Sequence, residues 1–270
     1  MTGLAVRPPV VAGSFYPARA ADLVGLVDAL LGEAEAPTDR GASPLPRALV
    51  VPHAGYRYSG PIAASAYRCL RETATPIERV VVAGPSHFWP LEGTAVPAAD
   101  RWATPLGEVA LDDDARRTAL DLGARLDDRP HGQEHAIEVQ LPFLQRLLPD
   151  QPVLPLAVGD TAAGSLADLL AALAAMPRTL LVVSTDLSHY HDQAAARRLD
   201  RRTADAVLNR DPGAVRLADA CGAWALRGLL ELARRERSEV RLLDLRTSAD
   251  TAGDPDRVVG YGAFRVDDAG

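Results

Sequence analysis

A short apolar stretch that ends just before a histidine constrains the fold of this chain most strongly. Residues 80–83 are four small apolar side chains, Gly84 and Pro85 interrupt the run, and His87 follows. An apolar run without alternation is typical of a parallel strand that is buried on both faces. Because open α/β sheets bind ligands beyond the carboxyl ends of their strands, His87 is placed where such a fold carries its chemistry.

The same pattern occurs at two further places in the chain. Residues 48–52 lead directly into His53, and residues 179–185 lead into Asp186, with His189 three residues further on. The carboxyl ends of parallel strands meet at one edge of a sheet. We therefore expect these three strand ends to lie together, with the rest of the chain as the frame that holds them.

Helical and strand patterns alternate along the chain. Helical spacing predicts helices over 18–35, 61–72, 112–122, 161–176, 193–208 and 221–232, with a short one opening at Pro212 and another after His135. Further strands are predicted over 153–158, 239–247 and 258–266. This alternation predicts a layered α/β sandwich with a mostly parallel, partly mixed central sheet flanked by helices. Without an internal repeat, residues 1–270 are expected to form a single domain, and residues 36–46 a linker within it.

Composition narrows the functional classes. The formal net charge is -7, and all 29 basic residues are arginine without forming a basic run, so nucleic-acid binding is not expected. Two cysteines are too few for a disulfide framework, which favours a reduced compartment. The first 13 residues lack the apolar core of a signal peptide, and no stretch suits a membrane span. A cytoplasmic protein without a membrane partner is the expectation.

The histidines are the first candidates for chemistry. His53 and His87 occupy matching positions after two strands, and imidazole is both a common metal ligand and a common general base. Either one alone could instead be a loop histidine bonded to backbone. His135 and Glu138, three apart, would share a helical face and line the pocket or support the ligands. His131 is expected to be a solvated loop residue.

The segment after the third strand offers a carboxylate and an imidazole. Asp186 could orient a ligand histidine, and His189 could act as a base or a ligand. A hydrolase triad of Ser188, His189 and Asp186 is disfavoured, because neighbours on one loop seldom point at one another. Tyr190 and His191 are expected at the surface.

Cys221 stands just before an apolar helical pattern. A thiolate at a helix N-terminus is stabilised by the exposed N–H groups, which suits a metal ligand or a nucleophile. A buried and inert cysteine is the equally weighted alternative, and Cys69, on an apolar helical pattern, is expected in the core. Two histidines with an anionic third ligand would form a mononuclear site with open positions, although its usual iron form has a carboxylate.

Six short motifs now resemble one known family in their order. They are Ala-Gly-Ser-Phe-Tyr-Pro at 12–17, Pro-His-Ala-Gly-Tyr at 52–56, Gly-Pro-Ser-His at 84–87, Glu-His-Ala-Ile-Glu-Val-Gln-Leu-Pro at 134–142, Ser-Thr-Asp-Leu-Ser-His at 184–189 and Cys-Gly at 221–222. The chain resembles the Memo family from about residue 7 to residue 264. It is most similar to the bacterial or archaeal type, the B component of the AmmeMemoRadiSam set.

The resemblance implies a fold and a set of site residues. The Memo family is similar in fold to the class III extradiol dioxygenases, which are α/β proteins with non-haem iron. By this resemblance the metal ligands are His53, His87 and Cys221. The resemblance also places His189, as the base, and Asp186 and His135 in the same pocket. Fe(II) is the expected metal, with copper or zinc as alternatives because a thiolate is a softer ligand than a carboxylate.

The implied functions fall into three classes. The leading hypothesis is a metal-binding protein, with iron, that acts as a redox or oxygenase-like enzyme on an unknown small molecule. The cysteine stands where the dioxygenases have a glutamate, so the resemblance does not imply ring cleavage itself. A non-enzymatic metal-binding protein, or a partner of companion radical SAM and AMMECR-type proteins, is the second hypothesis. A hydrolase that uses Cys221 or metal-bound water is the third.

Overall fold

The structure is a computed structural model and describes residues 4–34 and 44–269. Its strands are β1 (Val6–Arg7), β2 (Ala48–Val51), β3 (Arg79–Pro85), β4 (Thr94–Val96), β5 (Arg101–Thr104), β6 (Gly107–Ala110), β7 (Arg125–Leu126), β8 (Val153–Val158), β9 (Thr179–Ser184), β10 (His189–His191), β11 (Glu239–Thr247) and β12 (Val258–Asp267). Its helices are α1 (Ala20–Glu33), α2 (Tyr56–Tyr67), α3 (Asp113–Asp121), α4 (Arg129–Gly132), α5 (Leu141–Leu147), α6 (Ala163–Ala174), α7 (Gln193–Leu208) and α8 (Ala223–Glu236). Three 3₁₀ turns span Arg68–Glu72, Glu138–Gln140 and Ser248–Asp250.

The large sheet has a parallel centre and mixed flanks. Its strand order is β10-β12-β2-β9-β3-β8-β4-β7, and β11 pairs with β12 as well. The four central strands β2, β9, β3 and β8 run parallel. Antiparallel pairs add β12 on one side and β4 on the other. The layered α/β fold with a mixed central sheet, expected from the sequence, is confirmed, and most of its parallel pairing lies in the strands that carry the site.

Helices cover both faces of the sheet, because successive side chains of a strand point to opposite faces. In β3, Val81 and Ala83 pack into one apolar cluster, to which helices α3, α6, α7 and α8 contribute. Val80 and Val82 pack into the second cluster, with α1, α2 and α5. Both faces of the central strands are buried, which is why the interiors of these strands are apolar, with polar residues only at their ends, such as Arg79, Thr179 and Ser184.

Two predicted helices differ from the structure. The helix predicted from Pro61 begins at Tyr56, and Pro61 lies inside it. Tyr56 is buried and its N–H donates to the carbonyl of Phe15 at 2.8 Å, a tertiary contact that fixes the earlier start. The helix predicted at Pro212 is absent from the described residues, because the Asp211 side chain accepts the N–H of Gly213 at 2.9 Å and holds a turn there.

The remaining helix and strand predictions agree with the structure to within a few residues at their ends, except after His135, where the 3₁₀ turn precedes α5. Residue 35 and most of the predicted linker, 36–43, lie outside the described residues. None of the helices in the described ranges combines the length and hydropathy that crossing a membrane requires.

Candidate metal centre

The site lies at the carboxyl edge of three neighbouring parallel strands. Strand β9 lies between β2 and β3 in the sheet. Val183 of β9 is level with Val50 of β2 and with Ala83 of β3, so the three strands end at nearly the same height. The loops that follow them therefore carry the three predicted polar side chains to one edge, as expected from the sequence.

Three donor atoms converge there from three separate loops. The side-chain donor atoms of His53, His87 and Cys221 all lie within 4.8 Å of one another, close enough to hold one metal ion. The Sγ atom of Cys221 is 3.2 Å from Nε2 of His53. His53 is 2% exposed, whereas the side chain of His87 is 27% exposed, so the group is open on the side of His87.

Cys221 reaches the group because the loop before α8 docks on the end of β9. The N–H of Cys221 donates to the carbonyl of Asp186 at 3.3 Å, and the N–H of Asp186 donates to Sγ at 3.2 Å. The N–H of Gly222 donates to Thr185 Oγ1 at 2.9 Å. A Cβ atom on Gly222 would lie 2.7 Å from the carbonyl oxygen of Ser184, so this close approach requires glycine.

Hydrogen bonds around Ser184 fix the tautomer of His53. The Ser184 hydroxyl donates to the carbonyl of Ala136 at 2.7 Å and accepts the side-chain amide of Gln140 at 2.9 Å. A hydroxyl has one proton, so its remaining lone pair must accept from Nδ1 of His53, 2.9 Å away. The network thus assigns the proton to Nδ1 and leaves the Nε2 lone pair facing Cys221.

Glu134 orients His87, and sequence reasoning did not single it out. The carboxylate is completely buried and accepts the backbone N–H of His87 at 2.6 Å and its Nδ1–H at 3.0 Å. It also accepts the N–H groups of His135 and Ala136, at 2.9 and 2.8 Å. Burial would raise the pKa of Glu134, but the hydrogen bonds from His87 and Ala136 outweigh it and lower the pKa to about 2. The ionised carboxylate leaves Nε2 of His87 free for a ligand bond.

The His135 ring lies against the rings of both His53 and His87. It stacks on His87 with centroids 4.9 Å apart and meets His53 edge-on at 5.5 Å. The rings of Phe15 and Phe88 also lie beside the His135 ring, with centroid distances of 4.8 and 5.9 Å, and form an aromatic wall there. Burial, with the nearby His53, lowers the pKa of His135 to about 4. The imidazole is therefore neutral at pH 7 and able to accept a proton.

Asp186 and His189 lie beside the group in different ways. Asp186 is buried, which raises its pKa, and it accepts the backbone N–H of His53 at 2.7 Å, so it positions the loop rather than the ring. His189 begins β10 and lies near enough to contribute to the lowered pKa of His53 and to oppose the raised pKa of Asp186, without a hydrogen bond to either among the described contacts. The Ser188 hydroxyl is buried and has no hydrogen-bond partner among the described residues, so the disfavoured triad is not assembled here. Tyr190 is exposed, as predicted.

Two predictions for the neighbouring segment are wrong. His131 is 1% exposed rather than solvated, because its ring packs on Trp102 and its Nε2 lies 3.2 Å from the carbonyl of Ala95. Glu138 does not line the site. His135 precedes the 3₁₀ turn Glu138–Gln140, so the two side chains do not share a helical face.

The Glu138 carboxylate instead fastens the N-terminal segment to the domain. It accepts from Arg7 at 2.7 Å, from the hydroxyl of Tyr16 at 2.6 Å, and from the N–H groups of Val10 and Val11 at about 3 Å. This anchoring holds Phe15, which follows in the same segment, against His135.

Known proteins are similar to this chain in sequence or in fold. A family model described as Memo-like protein matches residues 7–265. A MEMO1 family protein of Thermotoga petrophila is 35% identical over 271 residues, covering 94% of this chain and 97% of that protein. One of Ignicoccus hospitalis is 35% identical over 283 residues, covering 96% and 98%. An uncharacterized protein of Escherichia coli K12, 15% identical, has a similar fold with a TM-score of 0.55 over 81% of this chain and 98% of that one.

Proposed function

The chain belongs to the Memo family, and from that premise we propose that it is a mononuclear metal-binding protein with His53, His87 and Cys221 as ligands. The convergence of three donor atoms from three loops within 4.8 Å carries the proposal. Metal bonds of roughly 2.0–2.3 Å to nitrogen and sulfur separate neighbouring donors by ~3–4 Å, which fits the 3.2 Å between His53 Nε2 and Cys221 Sγ.

Hydrogen bonds to the other ring nitrogens support the same proposal. Ser184 accepts from Nδ1 of His53, and Glu134 accepts from Nδ1 of His87, so both imidazoles present Nε2 to one point. Metal-bound histidines are commonly held by such outer partners, which fix the tautomer and the ring direction.

The environment of Cys221 favours a ligand over a free nucleophile. Burial, together with the nearby Asp186, raises the pKa of the thiol well above its usual value. A thiol of that kind is inert as a nucleophile without a positive partner. A bound cation would supply that charge and deprotonate the sulfur, so the hydrolase hypothesis based on a free thiolate is the weaker one.

We propose Fe(II) as the metal and a redox or oxygenase-like reaction on a small molecule as the activity. Two imidazoles and one anion resemble the two-histidine, one-carboxylate iron sites, although the thiolate also suits zinc or copper. The metal would supply Lewis acidity and redox capacity at its open positions.

The chain's own side chains would place the substrate and accept its proton. Neutral His135 can accept a proton beside the ligand rings, while His189 is the base that the resemblance implies. Phe15 and Phe88 would exclude water from that side of the substrate. A rate that falls in both His135→Ala and His189→Ala would assign proton transfer to the pair, and loss in one alone would identify the base.

Metal content is the test of the proposed site. The parent protein, purified without air, should hold about one iron per chain, and His53→Ala, His87→Ala and Cys221→Ala should lose it. His191→Ala and Cys69→Ala are the matched controls, because His191 is exposed and Cys69 lies in a different part of the fold. A folded parent without stoichiometric metal, or equal metal in all variants, would contradict the proposal.

A second candidate function rests on the thiolate itself. A cysteine in place of the carboxylate suits a protein that holds or transfers metal as a partner of radical SAM and AMMECR-type proteins, without turnover of its own. Oxygen uptake by the Fe(II) protein with a catechol-like substrate, lost in His189→Ala, would reject this candidate. The two free cysteines support a reducing, cytoplasmic setting for either function.

A further inference from the structure

A cavity apart from the proposed metal centre lies between helix α7 and strand β11, and none of the proposed ligands lines it. Its volume is about 350 Å³, within the range of small-molecule pockets. The charged side chains around it are Arg197, Arg201, Arg246, Asp200 and Asp250.

The arginines converge because of the helical repeat and the neighbouring strand. Arg197 and Arg201 are four residues apart on α7 and so lie on one face of that helix. Arg246 reaches the same space from β11. Three guanidinium groups therefore border one small volume.

Most of the donors on these arginines are unused. Arg197 donates to Asp250 through Nη2 at 2.7 Å, and Arg246 donates to Asp244 through Nε and Nη2 at 2.9 and 2.5 Å. Arg201 has no hydrogen bond or ion pair with another residue of the described ranges. Since each guanidinium carries five N–H donors in a planar fork, the three together retain a surplus suited to a phosphoryl or carboxylate group.

The two aspartates do not cancel this surplus. Asp250 already accepts from Arg197, from the N–H and hydroxyl of Thr247 at 2.8 and 2.9 Å, and from Gln193 at 3.0 Å. Asp200 is 1% exposed, and its Oδ1 accepts the N–H of Ser188. Burial raises the pKa of Asp200 to about 6, so it keeps most of its charge at pH 7, but it forms no ion pair with Arg201 among the described contacts. The exposed cation of Arg201 is thus left without a counter-ion.

We propose that this cavity binds a phosphoryl group, either free phosphate or the phosphate ester of a small molecule. Arg201 makes the principal contact, and the spare N–H groups of Arg197 and Arg246 complete it. The unpaired guanidinium of Arg201, together with the remaining N–H donors of Arg197 and Arg246, suits the several oxygens of a phosphoryl group better than the two of a carboxylate. The proposal is independent of the metal centre, and its test needs no metal.

Calorimetric titration of the full chain at fixed ionic strength tests the proposal, with inorganic phosphate, glycerol 3-phosphate and acetate as probes. We expect saturable binding at one site for a phosphoryl probe and none for acetate. Arg201→Ala should weaken the affinity by about tenfold or more, the loss expected for one charge-assisted hydrogen bond. The preferred probe distinguishes free phosphate from an ester.

Arg198→Ala is the matched control, because Arg198 is an exposed arginine next along the same helix that does not line the cavity. Its affinity should equal that of the parent. Equal weakening in Arg198→Ala and Arg201→Ala would mean adventitious ion binding only and would overturn the proposal. Absence of saturable phosphoryl binding, or acetate binding as strong as phosphate, would do the same.

Discussion

Replacing Glu134 by glutamine tests whether the direction of the His87 ring controls metal affinity. The buried carboxylate accepts both N–H groups of His87, at 2.6 and 3.0 Å, and the N–H groups of His135 and Ala136. Glutamine keeps one acceptor oxygen and replaces the other by an NH2 group. At least one buried donor of His87 would then face another donor.

The size of the effect follows from that lost contact. A hydrogen bond to a charged group contributes about 1.5–3 kcal/mol, and 1.4 kcal/mol corresponds to tenfold in affinity. His87 Nδ1, His135 N and Ala136 N all meet Oε1, so glutamine keeps its oxygen there and its NH2 group opposes the backbone N–H of His87. Because the neutral oxygen also accepts the Nδ1–H bond more weakly, we expect Glu134→Gln to raise the metal Kd by about 10- to 100-fold, as for other outer partners of metal-bound histidines. The free energy of unfolding of the metal-free protein should fall by about 2–3 kcal/mol.

Glu138→Gln is the matched control, since this glutamate is equally buried and only four residues away, but its carboxylate binds Arg7, Tyr16 and the N-terminal backbone. We expect a similar loss of stability and an unchanged metal Kd. The assays are urea denaturation of the metal-free proteins and anaerobic competition titration against a chromophoric chelator. Equal metal Kd values in the parent and Glu134→Gln, or equal weakening in both variants, would show that Glu134 does not control metal affinity through the His87 ring.

Two further predictions concern packing and pH. In Gly222→Ala the new methyl group would meet the Ser184 carbonyl at 2.7 Å, so we expect a loss of about 1–3 kcal/mol in urea denaturation and weaker metal binding through displacement of Cys221; parent-like values in both assays would contradict this. Burial raises the pKa of Asp200 from 3.8 to about 6, so the native state binds this proton more tightly than the unfolded state. The free energy of unfolding of the parent should therefore fall by up to about 3 kcal/mol relative to Asp200→Asn as the pH rises from 4 to 6.5, and should then level off. Urea denaturation of both proteins from pH 4 to pH 8 measures this difference, and parallel profiles would show that Asp200 is not the group responsible.

Sequence patterns predicted the sheet and its strand ends well, because burial on both faces leaves a local signature. The apolar runs before His53, His87 and Asp186 are such signatures, and parallel register then brings their ends together. Within the candidate site, the residues that directly follow these strands could be foreseen in the same way. That expectation required only the position of each residue directly after a predicted strand.

The partners of those residues could not be foreseen, because they depend on where backbone N–H groups point in the folded chain. Glu134 and Glu138 are alike in sequence context, yet one turns to His87 and the other to Arg7. The turn after His135 separates them, and helical spacing misassigned Glu138 for that reason. The start of α2 could not be foreseen for the same reason. Pro61 predicts the first turn of a helix, but a backbone hydrogen bond from Tyr56 to Phe15 places the start five residues earlier.

The outer contacts of both histidines lead back to one short piece of chain. Glu134 holds His87, and the carbonyl of Ala136 with the amide of Gln140 holds Ser184, which holds His53. Residues 134–140 therefore set the distance between the Nε2 atoms of His53 and His87. A substitution that changes the shape of this segment would alter that distance, and with it the ionic radius that the proposed site accepts, while the proposed ligands themselves stay the same.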